Sequence, residues 1–310
     1  MKYPAVITVG ELLVEIMRKG IDVSFLEPGI FLGPYPSGAP GIFISAVSRV
    51  SRARVSAGIV SVCGRDDFGR AVVGRLKKDK VDTCRVRQIK DATGVAFVRY
   101  LSDGNREFIF HIGAAGCIKP QDIKKNYFSK IRVLHITGSS LFTSQSCFSA
   151  CKKALKIAIK NRATISFDPN IRKEMVLFSQ NIAKINIFLK QAKILFTTEE
   201  EIFILFGNRP MHTIVEKLFD NGTEIIIVKK GEKGSEIFSN QGMIKIPPLR
   251  VDVVDPTGAG DTYAGAFIAC YCMGNQIAEC GKIAGIAASL KCTKQGPMSI
   301  PEYKDIEKYF

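Results

Sequence analysis

From Val133 onward the chain alternates between two periodicities, and this limits its fold more than any other feature. Val133–Thr137, Thr164–Phe167, Lys193–Thr197 and Glu224–Val228 are short, largely apolar runs of strand length. Between them, Gln145–Ile159, Asn181–Leu189 and Glu199–Phe206 carry apolar residues at helical spacing, the last closed by Gly207. Strands that alternate with helices predict right-handed crossover units and a parallel sheet covered on both faces. Such sheets bind ligands at the carboxyl ends of their strands. Residues suited to binding recur at those ends: Asp168, Asn170, Thr198, Lys229 and Gly231.

One further turn carries the densest chemistry. Val251–Asp255 reads as the end of a strand, followed by Pro256-Thr257-Gly258-Ala259-Gly260-Asp261 and an apolar helical run, Tyr263–Met273, that Gly274 closes. The first turn of a helix exposes unpaired N–H groups and the positive end of the dipole, so it attracts anions, phosphates above all. Gly258 and Gly260 let the backbone approach such an anion closely. Asp261 has two readings. It is an N-cap, or a base that takes a proton from a hydroxyl while the loop amides hold charge developing on a transferred phosphoryl group.

The N-terminal half is less regular. Ala5–Val9 is a strand ending at Gly10-Glu11, and Leu13–Met17 alternates as a second strand around Glu15. Residues 28–41 are dense in Gly and Pro and predict a loop feeding the helix Ile42–Val50. Val55–Val62 is a strand, and Arg70–Lys78 a helix with Asp67 as its N-cap. Gly94–Leu101 and Arg106–His111, joined across Asp103-Gly104, predict a hairpin. Together with Leu13–Met17 this hairpin is expected to form a small sheet apart from the main one.

The string Asp-Pro-Thr-Gly-Ala-Gly-Asp-Thr at 255–262 resembles the C-terminal signature of the ribokinase, or PfkB, family of carbohydrate kinases. The resemblance extends from Gly10 to Gly296. It implies an α/β chain, a ribokinase-like three-layer α/β/α sandwich with a mainly parallel central sheet plus a small β-sheet lid. Residues 1–310 would be a single kinase domain, with the lid strands roughly within 11–35 and 93–112. It implies Asp261 as catalytic base and the amides of Gly258, Ala259 and Gly260 as the anion hole. Glu15, five residues after Gly10, stands where the family places a carboxylate for sugar hydroxyls. Gly38 and Ala39 lie in the family's sugar loop, although Ser37 replaces one of its glycines and Ile42 its Asn. Arg99, Phe110 and His111 would line the sugar from the lid.

The ATP side follows the same resemblance. Asp168-Pro169-Asn170-Ile171-Arg172 is similar to the family's Asp-x-Asn-x-Arg, with Asn170 toward the phosphates and Arg172 gripping a phosphate or a sugar-acid carboxylate. Thr198 and Glu201 stand where the family has Asn-x-x-Glu, implying a Mg²⁺ role for Glu201 through water. Lys229, Gly231 and Gly234 resemble the loop beside the nucleotide. Gly231 and Gly234 equally suit a hairpin turn. Ala288, among the small residues of the helix Lys282–Leu290, leaves room for adenine or serves tight helix packing. A monovalent cation, K⁺, is implied near Asp255, Thr257 and the Lys294–Gly296 turn. The expected partners are a sugar and ATP, with a homodimer formed through the lid.

Composition narrows the field. The 310 residues carry a formal charge of +15, in short lysine clusters spread along the chain without interleaved aromatics. That spacing fits solvated helix faces rather than a nucleic-acid stripe, and a nucleotide substrate suits a positive field. No apolar run approaches the ~20 residues of a membrane span, and the N-terminus lacks a signal-peptide layout, so a cytoplasmic protein is expected. The nine cysteines form no CxxC pair. There is no G-x-x-x-x-G-K-[ST] loop, no protein-kinase motif set and no G-x-G-x-x-G turn. The expected reaction is ATP-dependent phosphorylation of a ketohexose such as tagatose or fructose. The alternatives are a 2-keto-3-deoxygluconate or nucleoside kinase, or a catalytically weak sugar- or nucleotide-binding sensor of the same fold.

Overall fold

The alternating pattern becomes a single large sheet in a computed structural model that describes residues 3–171 and 179–310. The elements run β1 (Val6–Val9), β2 (Leu13–Ile21), β3 (Phe31–Ser37), α1 (Ala39–Val50), β4 (Ala57–Gly64), α2 (Asp67–Lys78) and β5 (Asp82–Ile89). Then come β6 (Gly94–Tyr100), β7 (Arg106–His111), β8 (Val133–Thr137), α3 (Gln145–Lys160), β9 (Thr164–Asp168) and α4 (Ser179–Leu189). The chain continues through β10 (Ile194–Thr198), α5 (Glu199–Phe206), α6 (Met211–Asp220), β11 (Ile225–Lys229), β12 (Ser235–Ser239) and β13 (Gly242–Ile246). Two long helices follow, α7 (Ala259–Met273) and α8 (Ile277–Cys292).

Among the described residues, nine strands form the main sheet in the order β13-β12-β11-β10-β9-β8-β1-β4-β5. From β11 to β5 every pairing is parallel; β12 and β13 add an antiparallel edge. The parallel strands are apolar on both faces because helices cover both. Residues of α1, α2, α7 and α8 build one core layer around Phe43 and Phe267. Residues of α3, α4, α5 and α6 build the other around Phe167 and Phe188. Close packing explains Gly265 of α7, where a Cβ would stand 2.3 Å from the Phe43 carbonyl oxygen of α1. No helix among the described residues is long and apolar enough to cross a membrane.

Among the described residues, four strands form the second, smaller sheet in the order β3-β2-β6-β7. Its edge strand β3 corrects the expectation of a loop across residues 28–41. Pro34 and Pro36 lack amide donors, and an edge strand tolerates that where a central one does not. Two other expectations are corrected. Val251–Asp255 is not a strand: the Val254 and Asp255 amides both donate to the Cys292 carbonyl at the end of α8 (2.8 and 3.0 Å). The cap of α2 is Asp66, not Asp67. The Asp66 carboxylate accepts from the Gly69 amide (2.7 Å) and from both the amide and hydroxyl of Thr93 (2.7 and 2.6 Å), so it also pins the entry to the lid.

The chain order places a crevice in the sheet. From β1 it moves outward through β4 and β5, then returns to lay β8 on the opposite side of β1. The loops leaving β1 and β8 diverge there, which is where open α/β sheets bind ligands.

Behind this point His135 of β8 is buried, stacked on Phe43 at 3.7 Å, with Nδ1 2.9 Å from Ser166 Oγ. Burial, helped by the Lys229 charge, pushes its pKa down from 6.5 to about 3. The unfolded chain therefore takes up a proton below pH 6.5 that the folded chain refuses until near pH 3. Stability from the neutral imidazole is present above pH 6.5 and is lost as pH falls through that window. Between pH 7 and 5 the wild type is expected to lose about 2 kcal/mol more unfolding free energy than His135→Gln. Equal losses in urea titrations at the two pH values would show that the imidazole is not held neutral.

Candidate active site

The helix α7 begins where the sequence places a glycine turn. Gly258 is its N-cap in the left-handed conformation (φ +82°), and a Cβ there would lie 2.7 Å from the Pro297 carbonyl oxygen. Asp261 consequently stands in the first turn of the helix, three residues past the cap, so the N-cap reading of Asp261 does not hold. The Ala259 amide turns onto the Pro256 carbonyl (3.2 Å), which reduces its share in binding an anion. First-turn amides have no carbonyl one turn earlier, and the helix dipole adds positive potential at this end.

Asp261 is 7% exposed and lines a cavity between the sheet crevice and the lid. Asn170 Nδ2 donates to its Oδ1 (3.3 Å) from the end of β9, with Asn170 itself left-handed at φ +41°. The same cavity is lined by Glu11, Glu15, Ser37, Gly38, Ala39, Ile42, Phe108, Phe110, Ser139, Thr143 and Gly258. Glu11 is buried and accepts from the hydroxyls of Ser139 and Ser140 (2.7 and 2.5 Å). Glu15 accepts from Ser37 Oγ (2.7 Å), so the serine that replaces a glycine of the family's loop orients this carboxylate. Two carboxylates and two aromatic rings facing Asp261 make a chamber suited to an uncharged polyol, with hydroxyls toward the carboxylates and C–H faces toward the rings.

A second cluster lies beside the anion turn. Lys229 Nζ donates to Asp168 Oδ2 (2.5 Å) and stands 3.4 Å from where a Cβ on Gly260 would be. Burial works to strip this ammonium of its proton, but Asp168, with Glu201 and Asp261 adding, overcomes it and raises its pKa. Glu201 is pushed upward, first by burial and then by Asp168. Its two oxygens accept amides from Ile171 (2.8 Å) and Thr198 (2.9 Å). Thr198 caps α5, its hydroxyl accepting from the Glu201 amide. Gly231 opens onto free space at φ +57°, whereas Gly234 is required by packing, since a Cβ there would meet the Ile246 carbonyl at 2.1 Å. Ala288 packs against the core and is not among the cavity-lining residues. Arg172 lies outside the described residues.

Strand parity corrects two lid expectations. Tyr100, Arg106, Phe108 and Phe110 share the inner face of the β6–β7 hairpin; Arg99 and His111 lie on the outer one. Arg99 pairs there with Glu107, and His111 is exposed. Side chains alternate faces along a strand, so a one-residue error of register turns every assignment over. On the inner face, Tyr100 OH donates to Asp255 Oδ1 (2.9 Å) and Arg106 Nη1 donates to Thr257 Oγ1 (3.1 Å). The cation that the resemblance places near Asp255 and Thr257 meets a lysine there: Lys291 Nζ donates to the Asp255 carbonyl at 2.7 Å.

Glu11, Ser139, Thr143 and Phe108 were not singled out by the sequence. Glu11 had a signal, a carboxylate directly after a strand-ending glycine.

The family model described as pfkB family carbohydrate kinase matches residues 43–303. Probable fructokinase-2 of Arabidopsis thaliana is 31% identical over 85% of this chain and 80% of its own length. Probable fructokinase-3 of the same plant is 32% identical over 85% of this chain and 76% of its own. A protein called ribokinase II from E. coli, crystallised with ATP and Mg²⁺, superposes with a TM-score of 0.92 at 38% identity, covering 98% of each chain.

Proposed function

The chain belongs to the PfkB family of carbohydrate kinases, and on that premise we propose that it transfers the γ-phosphoryl group of ATP to a hydroxyl of a ketohexose, fructose foremost. The observation that carries this reading is Asp261 in the first turn of α7, facing a chamber whose walls include the carboxylates of Glu11 and Glu15. Glu11 and Glu15 accept sugar hydroxyls and fix which one points at Asp261. Asp261 takes the proton of that hydroxyl as it attacks, and Asn170 holds the carboxylate toward it. The amides of Gly258 and Gly260, with a smaller part from Ala259, stabilise charge on the phosphoryl oxygens. Lys229 adds a fixed positive charge on the same side. Gly38 and Ala39 shape the sugar loop.

Mg²⁺ bound to ATP neutralises the phosphates during transfer. Mg²⁺ bound by a nucleotide would keep most of its remaining ligands as water. Glu201, oriented by its two amide donors, would hold one such water. Thr198 and Gly231 border the nucleotide; Arg172 stays a proposed anion ligand. Residues 1–310 would act as one kinase domain with the second sheet as lid.

The outer surface and rim of the lid support a homodimer. Leu26 is 95% exposed, Ile30 62% and Ile109 53%, apolar side chains that a partner subunit would cover. A sedimentation mass of one chain at micromolar concentration would exclude it. The nine cysteines are all free, which fits a reducing, cytoplasmic setting.

The reading is tested by ATP consumption over fructose, tagatose, 2-keto-3-deoxygluconate, ribose and nucleosides with Mg²⁺ present. Turnover is expected to be greatest with a ketohexose. Preference for the sugar acid or a nucleoside would overturn the substrate assignment, and no turnover with any would favour a sensor.

A further inference from the structure

Among the buried charges that the reaction proposed above does not use, one lies in α8. Lys291 of α8 has no solvent exposure, directly behind the anion turn. Its ammonium donates to the Asp255 main-chain carbonyl (2.7 Å) and stands 3.8 Å from Asp255 Oδ2. Asp255 is equally sealed. Its Oδ1 accepts from Tyr100 OH (2.9 Å) and the Thr257 amide (2.8 Å), and its Oδ2 from the Gly296 amide (2.8 Å). Removing an ammonium from water costs several kcal/mol even after relaxation. Hydrophobic residues of similar volume would fill this space without that cost, so the charge has a use.

We propose that Lys291 is a tethered monovalent cation, occupying the place where the family resemblance implies K⁺ and making this chain independent of free K⁺. The ammonium already neutralises Asp255 and polarises its carbonyl, the two groups that would draw in an ion. A second cation beside it would face a like charge about 4 Å away in a sealed, weakly screened space. By holding Asp255, Lys291 fixes the start of the Pro256–Gly260 turn, whose amides the phosphoryl group needs. Lys291 is thus a positioning residue; it touches neither sugar nor nucleotide in this scheme.

The rate readout rests on the kinase reading, but thermal melting does not, so the two fail separately. Wild-type protein is expected to melt within about 1 °C, and to turn over within twofold, in K⁺, Na⁺ or tetramethylammonium chloride at one ionic strength. Lys291→Ala is expected to melt several degrees lower and to regain part of that loss in K⁺ or methylammonium, but not in tetramethylammonium, which is too large for the vacated space. Lys291→Met, filled but uncharged, is expected to melt lower than wild type with no recovery in K⁺ or methylammonium, because Asp255 loses its buried partner, and to turn over at least tenfold more slowly in every salt. Wild-type melting raised selectively by K⁺ would overturn the proposal. So would a Lys291→Met protein with wild-type turnover.

Discussion

Replacing Asp261 by Asn is expected to lower turnover by about 10²–10⁴-fold, the scale associated with losing a general base. ATP affinity should be unchanged within a few-fold. The substitution keeps the side chain's size and its position in the first turn of α7, so the Gly258 cap and the helix should stand. It removes a carboxylate that lines the chamber beside the anion turn and can accept a proton there. Single-turnover kinetics with nucleotide binding measured in parallel separate these effects. Near-normal turnover would remove Asp261 from the chemistry. An equal loss of nucleotide affinity would mean the turn had been reshaped.

Replacing Lys229 by Met should harm the protein in two distinguishable ways. Asp168 is 1% exposed, and Lys229 is its ion-pair partner at 2.5 Å, so removing the lysine strands a buried carboxylate. The expected cost is about 3–5 kcal/mol of stability. Turnover should fall by about 10²-fold as well, since the ammonium lies against the Gly260 backbone where the proposed reaction would develop phosphoryl charge. Adding Asp168→Asn in the same chain removes the stranded charge. Urea unfolding should then recover much of the lost stability while turnover stays low. If turnover recovered too, Lys229 would act only by holding the fold.

How far the sequence revealed this molecule depended on whether a signal was local. The parallel sheet was legible because each strand from β8 to β11 is a short apolar run ended by a polar or turn residue. The Asp261 turn was legible because Gly258, Gly260 and the apolar helix after them have few alternative readings. Arg99 and His111 were misplaced because facing depends on register with a partner strand, and one residue inverts it. β3 was hidden by Pro34 and Pro36, which argue against a strand unless it lies at an edge. Val251–Asp255 has strand composition, but its Val254 and Asp255 amides are captured by the Cys292 carbonyl, which no local pattern announces. Lys291 resembles any helix lysine in the sequence; only the packing of α8 against the anion turn shows that it never reaches water.

The hydrogen bonds from Tyr100 and Arg106 to Asp255 and Thr257 join the hairpin to the turn proposed to receive the phosphoryl group. The roof of the chamber is latched to its floor. Were the hairpin to lift for an entering sugar, those bonds would break and the turn would slacken, and closing over the sugar would restore both together. An empty, raised roof would thus leave nucleotide beside an untensioned cradle, and water would be a poor thief of its terminal phosphate.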